Sequence, residues 1–330
     1  MRNRFVARLP ITRTQGQTRR YVLQTLSSIG PAALSCISAR GQGGNQGQSA
    51  GPGTPKSFTK QLNGVRIHYR QWGTDSAPPM LLLHPAPLNS HVWDAFGPMM
   101  ASHFRVIAPD ARGFGESEWS HSYEGDVYLN DLHALVNELK LRRVVLCGNS
   151  MGGTLAYMYA GMHPENVERL ILVDTGPGEK VTNEPAQNST PSPRRGGPPP
   201  VPAGPFSSAE EAAAQVPKAF GPAFLRAMVD HNLQRGADGS WRWKYDLKGT
   251  SVAAERAMRD PRKWHLWKAV KCPTLVLRGE RSPAMSQQAA EQMVAENEHA
   301  TLVAIPNAGH FIPLEAPSDL EVAVRKWLGI

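Results

Sequence analysis

Arg142-Arg-Val-Val-Leu-Cys-Gly-Asn-Ser-Met-Gly-Gly-Thr-Leu-Ala-Tyr157 decides how the rest of the chain is read. Val144 to Cys147 is a short apolar run with the β-branched content of a buried parallel strand. The residues from Thr154 onward read as a helix, so Gly148-Asn-Ser-Met-Gly-Gly153 must make the turn between them. A serine on so sharp a strand-to-helix turn needs glycine two places before and two after, because a Cβ there would meet neighbouring chain. The same turn lifts the hydroxyl of Ser150 above the sheet and directs a helix N-terminus at it, where negative charge is stabilised. Ser150 is therefore the candidate nucleophile.

Outward from this stretch, the chain alternates strands and helices. Pro79 to His84, Phe104 to Pro109, Glu168 to Val173, Cys272 to Gly279 and Ala300 to Ile305 read as strands. Leu129–Leu139, Gln287–Glu296 and Leu320–Trp327 carry apolar residues at helical spacing. That rhythm predicts an α/β fold, a doubly wound and mostly parallel sheet covered on both faces. Residues 57–72 alternate around Asn63-Gly64, a hairpin signal, and predict two antiparallel edge strands. The rhythm breaks between Glu184 and Pro205, where eight prolines exclude helix and central strand. Ser208 is placed to cap a following helix, and residues 222–233 suit a second one. Residues 177–265 are thus expected to form a mainly helical cap inserted after the strand ending at Asp174, with the core formed by 57–176 and 266–330. Trp241-Arg-Trp-Lys-Tyr245 of the cap either lines a pocket or packs the cap down, and packing is the preferred role.

The chain has 330 residues and a formal charge of +8, which invites a nucleic-acid reading. The charge is misplaced for one. Residues 1–60 hold nine Lys or Arg and no acid, leaving 27 basic against 28 acidic side chains in the remainder. A body so near neutrality offers no basic face. Three cysteines make no disulfide framework, and Cys147 and Cys272 read as small buried hydrophobes. No nucleotide loop or metal-ligand motif stands out, so cofactor-free chemistry is expected.

Residues 1–36 read as a leader. Thr18-Arg-Arg-Tyr-Val-Leu-Gln24 resembles a twin-arginine export signal, and Ala33-Leu-Ser-Cys36 resembles a lipoprotein cleavage box. Residues 37–56, rich in Gly, Gln, Ser and Pro, have the composition of a tether. The expected location is the periplasm or cell envelope, with membrane contact only through a lipid on Cys36. A mitochondrial transit peptide or a tail without a sorting role are the rival readings.

Four separated motifs resemble those of the α/β-hydrolase family over residues 57–330. They are His84-Pro-Ala-Pro87, Pro109-Asp-Ala-Arg-Gly-Phe-Gly-Glu-Ser117, the serine turn, and Pro306-Asn-Ala-Gly-His310, each following a strand. The resemblance implies that His310, of eleven histidines, is the base that takes the Ser150 proton and returns it to the leaving group. It implies an oxyanion hole from the backbone N–H groups of Met151 and Ala86, with Pro85 in the place of the family's usual glycine. His84 and Trp93 are assigned to the substrate pocket, His84 also bracing the oxyanion loop, while Asp110 and Arg112 hold the adjacent turn. The acid departs from the family's pattern. Three and four residues after Gly279, where a carboxylate normally stands, are Ser282 and Pro283. Asp174 is the preferred substitute, Glu280 the alternative, and absence of a proper acid the third reading.

The expected activity is hydrolysis of a small carboxylic ester or lactone through an acyl-enzyme on Ser150. A serine argues against the epoxide-hydrolase and dehalogenase branches, which resemble the chain elsewhere but use aspartate. The serine turn also looks like that of C–C hydrolases acting on diketo acids; against that, no cap arginine stands out as the carboxylate partner, although Arg226 or Arg235 could serve. A catalytically weak ligand-binding protein is the alternative of another class. The expected partner is a small acyl compound.

Overall fold

The computed structural model describes residues 53–123, 126–178, 204–249 and 260–330. The leader, most of the tether and the proline-rich segment lie outside these residues, apart from its end at Gly204-Pro205. The chain enters through β1 (Lys56–Leu62) and β2 (Val65–Trp72), a hairpin closed by Asn63 and Gly64, both at positive φ. There follow β3 (Pro79–Leu83), α1 (Phe96–Met100), β4 (Arg105–Pro109), α2 (Val127–Glu138), β5 (Val144–Asn149), α3 (Met151–Met162) and β6 (Val167–Val173). The described part of the insertion contains α4 (Ala209–Ala214), α5 (Gly221–His231) and the strands β7 (Leu233–Arg235) and β8 (Trp241–Trp243). The chain closes with α6 (Lys263–Ala269), β9 (Thr274–Gly279), α7 (Gln287–Ala295), β10 (Ala300–Ile305), α8 (Ile312–Glu315) and α9 (Pro317–Leu328).

Eight strands form one sheet in the order β1-β2-β4-β3-β5-β6-β9-β10. The six from β4 to β10 run parallel, and the hairpin is antiparallel. Only β1 is an edge at that end, because β2 also pairs with β4 through Tyr69–Trp72. The hairpin thus extends the sheet instead of standing beside it, which corrects the expectation of two edge strands.

Central strands read as unbroken apolar runs because both faces are covered. Met80, Leu82, Val145, Cys147, Ile171, Val173, Leu275 and Leu277 contribute to one buried cluster, and Leu81, Leu83, Leu146, Leu170, Leu172 and Val276 to the other. Burial pushes the Cys147 thiol well above its ordinary pKa and Cys272 to about 11, as expected of packing rather than reactive cysteines. α3 is buried nearly all round. Trp267 of α6 packs edge-on against Tyr157 of α3. The return to the core therefore begins with α6 at Lys263, ahead of the expected boundary at 266.

The described part of the cap is mainly helical, with one short hairpin added. Ser208 does cap α4, accepting the Glu211 N–H at 3.1 Å. β7 and β8, however, form a hairpin around Asp238-Gly239, so Leu233 opens a strand where a helix was expected to end. Trp243 and Tyr245 are buried, with Trp243 edge-on to Phe206, and they pack the cap. The cap packs on the core through Phe220 and Phe224 against Phe311, and hydrogen bonds join the two at two further seams. Gly115 N–H donates to Lys244 O (2.7 Å) and Asp246 N–H to Gly113 O (2.8 Å). At the other seam, Asn89 Nδ2 donates to the His231 carbonyl (3.1 Å) and to Asn232 Oδ1 (2.5 Å), while Asn232 Nδ2 donates to Pro87 O (3.1 Å). Among the described residues no helix is long and apolar enough to cross a membrane.

Candidate active site

Ser150 joins β5 to α3 with φ 53° and ψ −117°, a conformation that L-residues adopt only under constraint. The constraint is steric. A Cβ on Gly152 would lie 2.2 Å from Leu83 O, and one on Gly148 would lie 2.4 Å from Gly152 C. Ser150 is half-buried, and its backbone is tied to the end of β6: its N–H donates to Val173 O at 3.3 Å, and Thr175 Oγ1 donates to Ser150 O at 3.0 Å. Met151 opens α3, where the N–H has no intrahelical acceptor and can serve an oxyanion.

Parallel pairing puts the ends of β5, β6 and β9 side by side. Asn149 lies opposite Val173, and Val173 opposite Leu277. Asp174 therefore leaves β6 beside the end of β9, at φ 51° and almost fully buried. Its Oδ1 accepts the Gly279 N–H at 3.0 Å. Its Oδ2 accepts His310 Nδ1 at 2.7 Å and Ser282 Oγ at 2.5 Å. Three donors thus converge on this buried carboxylate and fix its position. The bond at Nδ1 sets the His310 tautomer, leaving the Nε2 lone pair to accept a proton.

Ser282 stands at the position where the family pattern places the acid. It is instead a donor to the acid supplied by the neighbouring strand. Glu280 takes no part in this cluster: it is exposed, and its Oε2 accepts the Asn307 N–H at 3.1 Å. That corrects the alternative, for a physical reason: the Ser282 N–H closes back on Gly279 O (3.0 Å), a turn that leaves Glu280 outside.

Two further residues escaped the sequence reading. Asn149 Nδ2 donates to the carbonyls of Val173 (2.7 Å) and His310 (3.1 Å), tying the histidine loop to the serine turn. The Glu315 carboxylate accepts Gly309 N–H (2.7 Å) and Phe311 N–H (3.0 Å), clamping the backbone on both sides of His310. Asn149 gave no signal in the sequence, because its partners are distant along the chain.

The loop after β3 is braced by His84. His84 Nδ1 donates to Pro85 O (3.0 Å) and Nε2 accepts the Ala111 N–H (2.9 Å), which requires a neutral ring. Burial lowers the His84 pKa and favours that form. The assignment of His84 and Trp93 to a substrate pocket needs correction. His84 is 2% exposed and Trp93 0% exposed, Trp93 packing against Phe96. His84 instead borders a small cavity behind the serine turn, together with Arg112, Tyr128, Met151 and Leu155.

Asp110 accepts from His68 Nδ1 (2.8 Å), Ser90 N–H (2.7 Å) and Glu116 N–H (3.0 Å). Burial opposes its ionisation, but the His68 bond and charge win and hold its pKa at about 2. Arg112 forms a fork with Asp131 of α2 at 2.5 and 2.7 Å. Both are structural, as expected.

The family model for the alpha/beta hydrolase fold matches residues 78–317. The chain is 28% identical to the 3-hydroxybutyrate-oligomer hydrolase of Cupriavidus necator over 284 residues, 80% of this chain and 93% of that protein. It is 36% identical to a soluble epoxide hydrolase of a Corynebacterium species, over only 36% of this chain and 41% of that one. Among solved structures, a thermophilic esterase from Thermogutta terrifontis superposes with a TM-score of 0.61 and 27% identity, covering 83% of this chain and 98% of its own. An E-2-(acetamidomethylene)succinate hydrolase superposes with a TM-score of 0.68 at 19% identity, covering 84% of this chain and all of that one, a likeness of fold. With most of its length matched by the family model and its sheet, serine turn and histidine loop in the corresponding order, the chain belongs to the alpha/beta hydrolase fold family and is a hydrolase of it.

Proposed function

We propose that the protein cleaves small carboxylic esters through a covalent acyl-enzyme on Ser150. The observation that carries this reading is the 2.7 Å bond from His310 Nδ1 to the buried Asp174 carboxylate, in a loop that Asn149 ties to the serine turn, where Ser150 is held at positive φ. In the reaction, His310 Nε2 takes the hydroxyl proton as Ser150 Oγ attacks the ester carbonyl carbon. The oxyanion is met by the N–H groups of Met151 and Ala86. The C–O bond then breaks, and His310 gives its proton to the departing alkoxide. Water, deprotonated by the same nitrogen, splits the acyl-serine ester and releases the carboxylic acid. Asp174 orients the ring and stabilises the imidazolium throughout.

The substrates to test first are short oligoesters of hydroxy acids. The Cupriavidus necator relative named for 3-hydroxybutyrate oligomers aligns over nearly its whole length, and units of such an oligomer are joined by carboxylic esters. The diketo-acid reading is weaker, because Arg226 and Arg235 are both exposed and Arg235 Nε donates within the cap hairpin to Gly239 O. The ligand-binding reading was motivated by a vacant acid position; the Ser282–Asp174 bond at 2.5 Å supports the esterase reading over it.

The test is fluorophosphonate labelling read by intact mass, alongside hydrolysis of p-nitrophenyl butyrate and a 3-hydroxybutyrate dimer. One adduct on wild type and none on Ser150→Ala is expected, with ester hydrolysis lost in Ser150→Ala and His310→Ala. Wild-type rates no higher than those of Ser150→Ala would overturn the reading.

A further inference from the structure

The seam where Asn89 meets Asn232 holds a second cluster of chemically capable side chains. His91 and Asp94 lie on the loop after β3, in and beside a short 3-10 turn (Ser90–Trp93), and His231 is the last residue of α5. Each offers a ligand atom, and the three atoms lie within 4.8 Å of one another. All three are partly open to solvent, so an ion could reach them. His91 Nδ1 stands 2.8 Å from Asp94 Oδ2. Two donors on one zinc-sized ion, each bound at about 2.0–2.1 Å, lie about 3 Å apart, so this pair is already near the required bite.

The His91 and His231 rings stack, with centroids 4.1 Å apart and 5° between planes. Lone pairs lie in the ring planes, so one ring must turn for both to meet a common ion. His231 can turn: it is half-buried, and its ring makes no hydrogen bond among the described residues. The other carboxylate oxygen, Asp94 Oδ1, is held by Arg70. That guanidinium offsets the carboxylate charge and disfavours ions that bind mainly through oxygen, such as Mg2+ and Ca2+. Ions that draw affinity from imidazole nitrogen are affected less.

We propose that His91, Asp94 and His231 form a site for a divalent transition metal, Zn2+, Ni2+ or Cu2+, with water completing the coordination. The ion bridges the oxyanion-side loop of the core to the end of α5, and its binding adds to the Asn89–Asn232 contacts that hold the cap down. Nothing in this site depends on the ester chemistry proposed for Ser150.

The test is calorimetric titration of the untagged, chelator-treated full chain with ZnCl2, NiCl2 and MgCl2, with thermal unfolding in parallel. One Zn2+ or Ni2+ per chain is expected, with micromolar affinity, a raised Tm and no response to MgCl2. His91→Gln and His231→Gln should each weaken binding at least about tenfold, a loss of about 1.4 kcal/mol. They come from separate segments, so misfolding of one leaves the other to decide. His163→Gln, on a second stacked histidine pair with His133, should leave binding unchanged. The proposal fails if wild type binds no stoichiometric ion, if MgCl2 is bound as well as ZnCl2, if both glutamine variants bind undiminished, or if His163→Gln removes binding equally. Because no readout uses turnover, failure here is distinct from failure of the esterase reading.

Discussion

Asp174 carries the heaviest expectation at the scale of single residues. It receives three hydrogen bonds, but only the one from His310 touches the base. Asp174→Asn should lower kcat for ester hydrolysis by about 10^3 to 10^4, as loss of the acid does in serine proteases, because the wrong tautomer of the ring is then favoured. Ser282→Ala removes one of the three donors and should cost about tenfold in kcat with little change in KM, since the carboxylate stays in place but is less firmly held. Glu280→Gln should change neither constant. Steady-state kinetics on the three variants separates the carboxylates. An effect of Glu280→Gln matching that of Asp174→Asn would sink the assignment. Of these residues, Ser150, His310 and Asp174 could be proposed from sequence because each lies in the segment that follows a strand. Ser282 was seen but misread: a hydroxyl three residues past Gly279 looks like a missing acid until the neighbouring strand brings one to it.

The serine turn and the cap seam are the two places where elements, not single groups, set the behaviour. Gly152 is pressed against Leu83 O of β3, so Gly152→Ala forces α3 away from the sheet. Its expected cost is about 3 kcal/mol in denaturant unfolding, the upper range for overpacking a rigid interior. A loss under 0.5 kcal/mol would mean that the turn yields more readily than its contacts suggest. At the seam, the amide of buried Asn232 reaches both Asn89 and Pro87 O and so couples α5 to the loop that carries Ala86. Asn232→Ala should lower kcat about tenfold while barely moving KM for a small ester, because the oxyanion donor loses its fixed position rather than the substrate its pocket. A purely structural role would show as a fall in Tm with kcat intact.

For the whole molecule, acid should destabilise in two separate windows. Burial lowers the pKa values of His84, His163 and His231, and for the latter two a neighbouring histidine, His133 and His91 respectively, adds to the effect. A histidine with a depressed folded pKa contributes stability above its unfolded value of about 6.5, and that contribution is lost as pH falls through the folded value. Asp110, held at about 2, contributes above about 3.9 and loses its share only as pH falls toward its folded value. Urea midpoints measured from pH 8 to pH 3 should therefore decline below pH 6.5 and again below pH 4. A flat midpoint between pH 7 and pH 5 would contradict the histidine part.

What the amino-acid order determined by itself was local. Apolar runs of strand length, glycines around Ser150 and motifs at strand ends were enough to specify a parallel sheet and a candidate nucleophile on it. These features act over a few residues, through backbone sterics and side-chain period. Tertiary structure alone decided which carboxylate meets His310, what Ser282 does, that Trp93 is core, and that His91 and His231 face each other. Each of those depends on which strand ends lie side by side and on where the cap returns, and such distances between remote segments are fixed only when the sheet pairs and the cap packs.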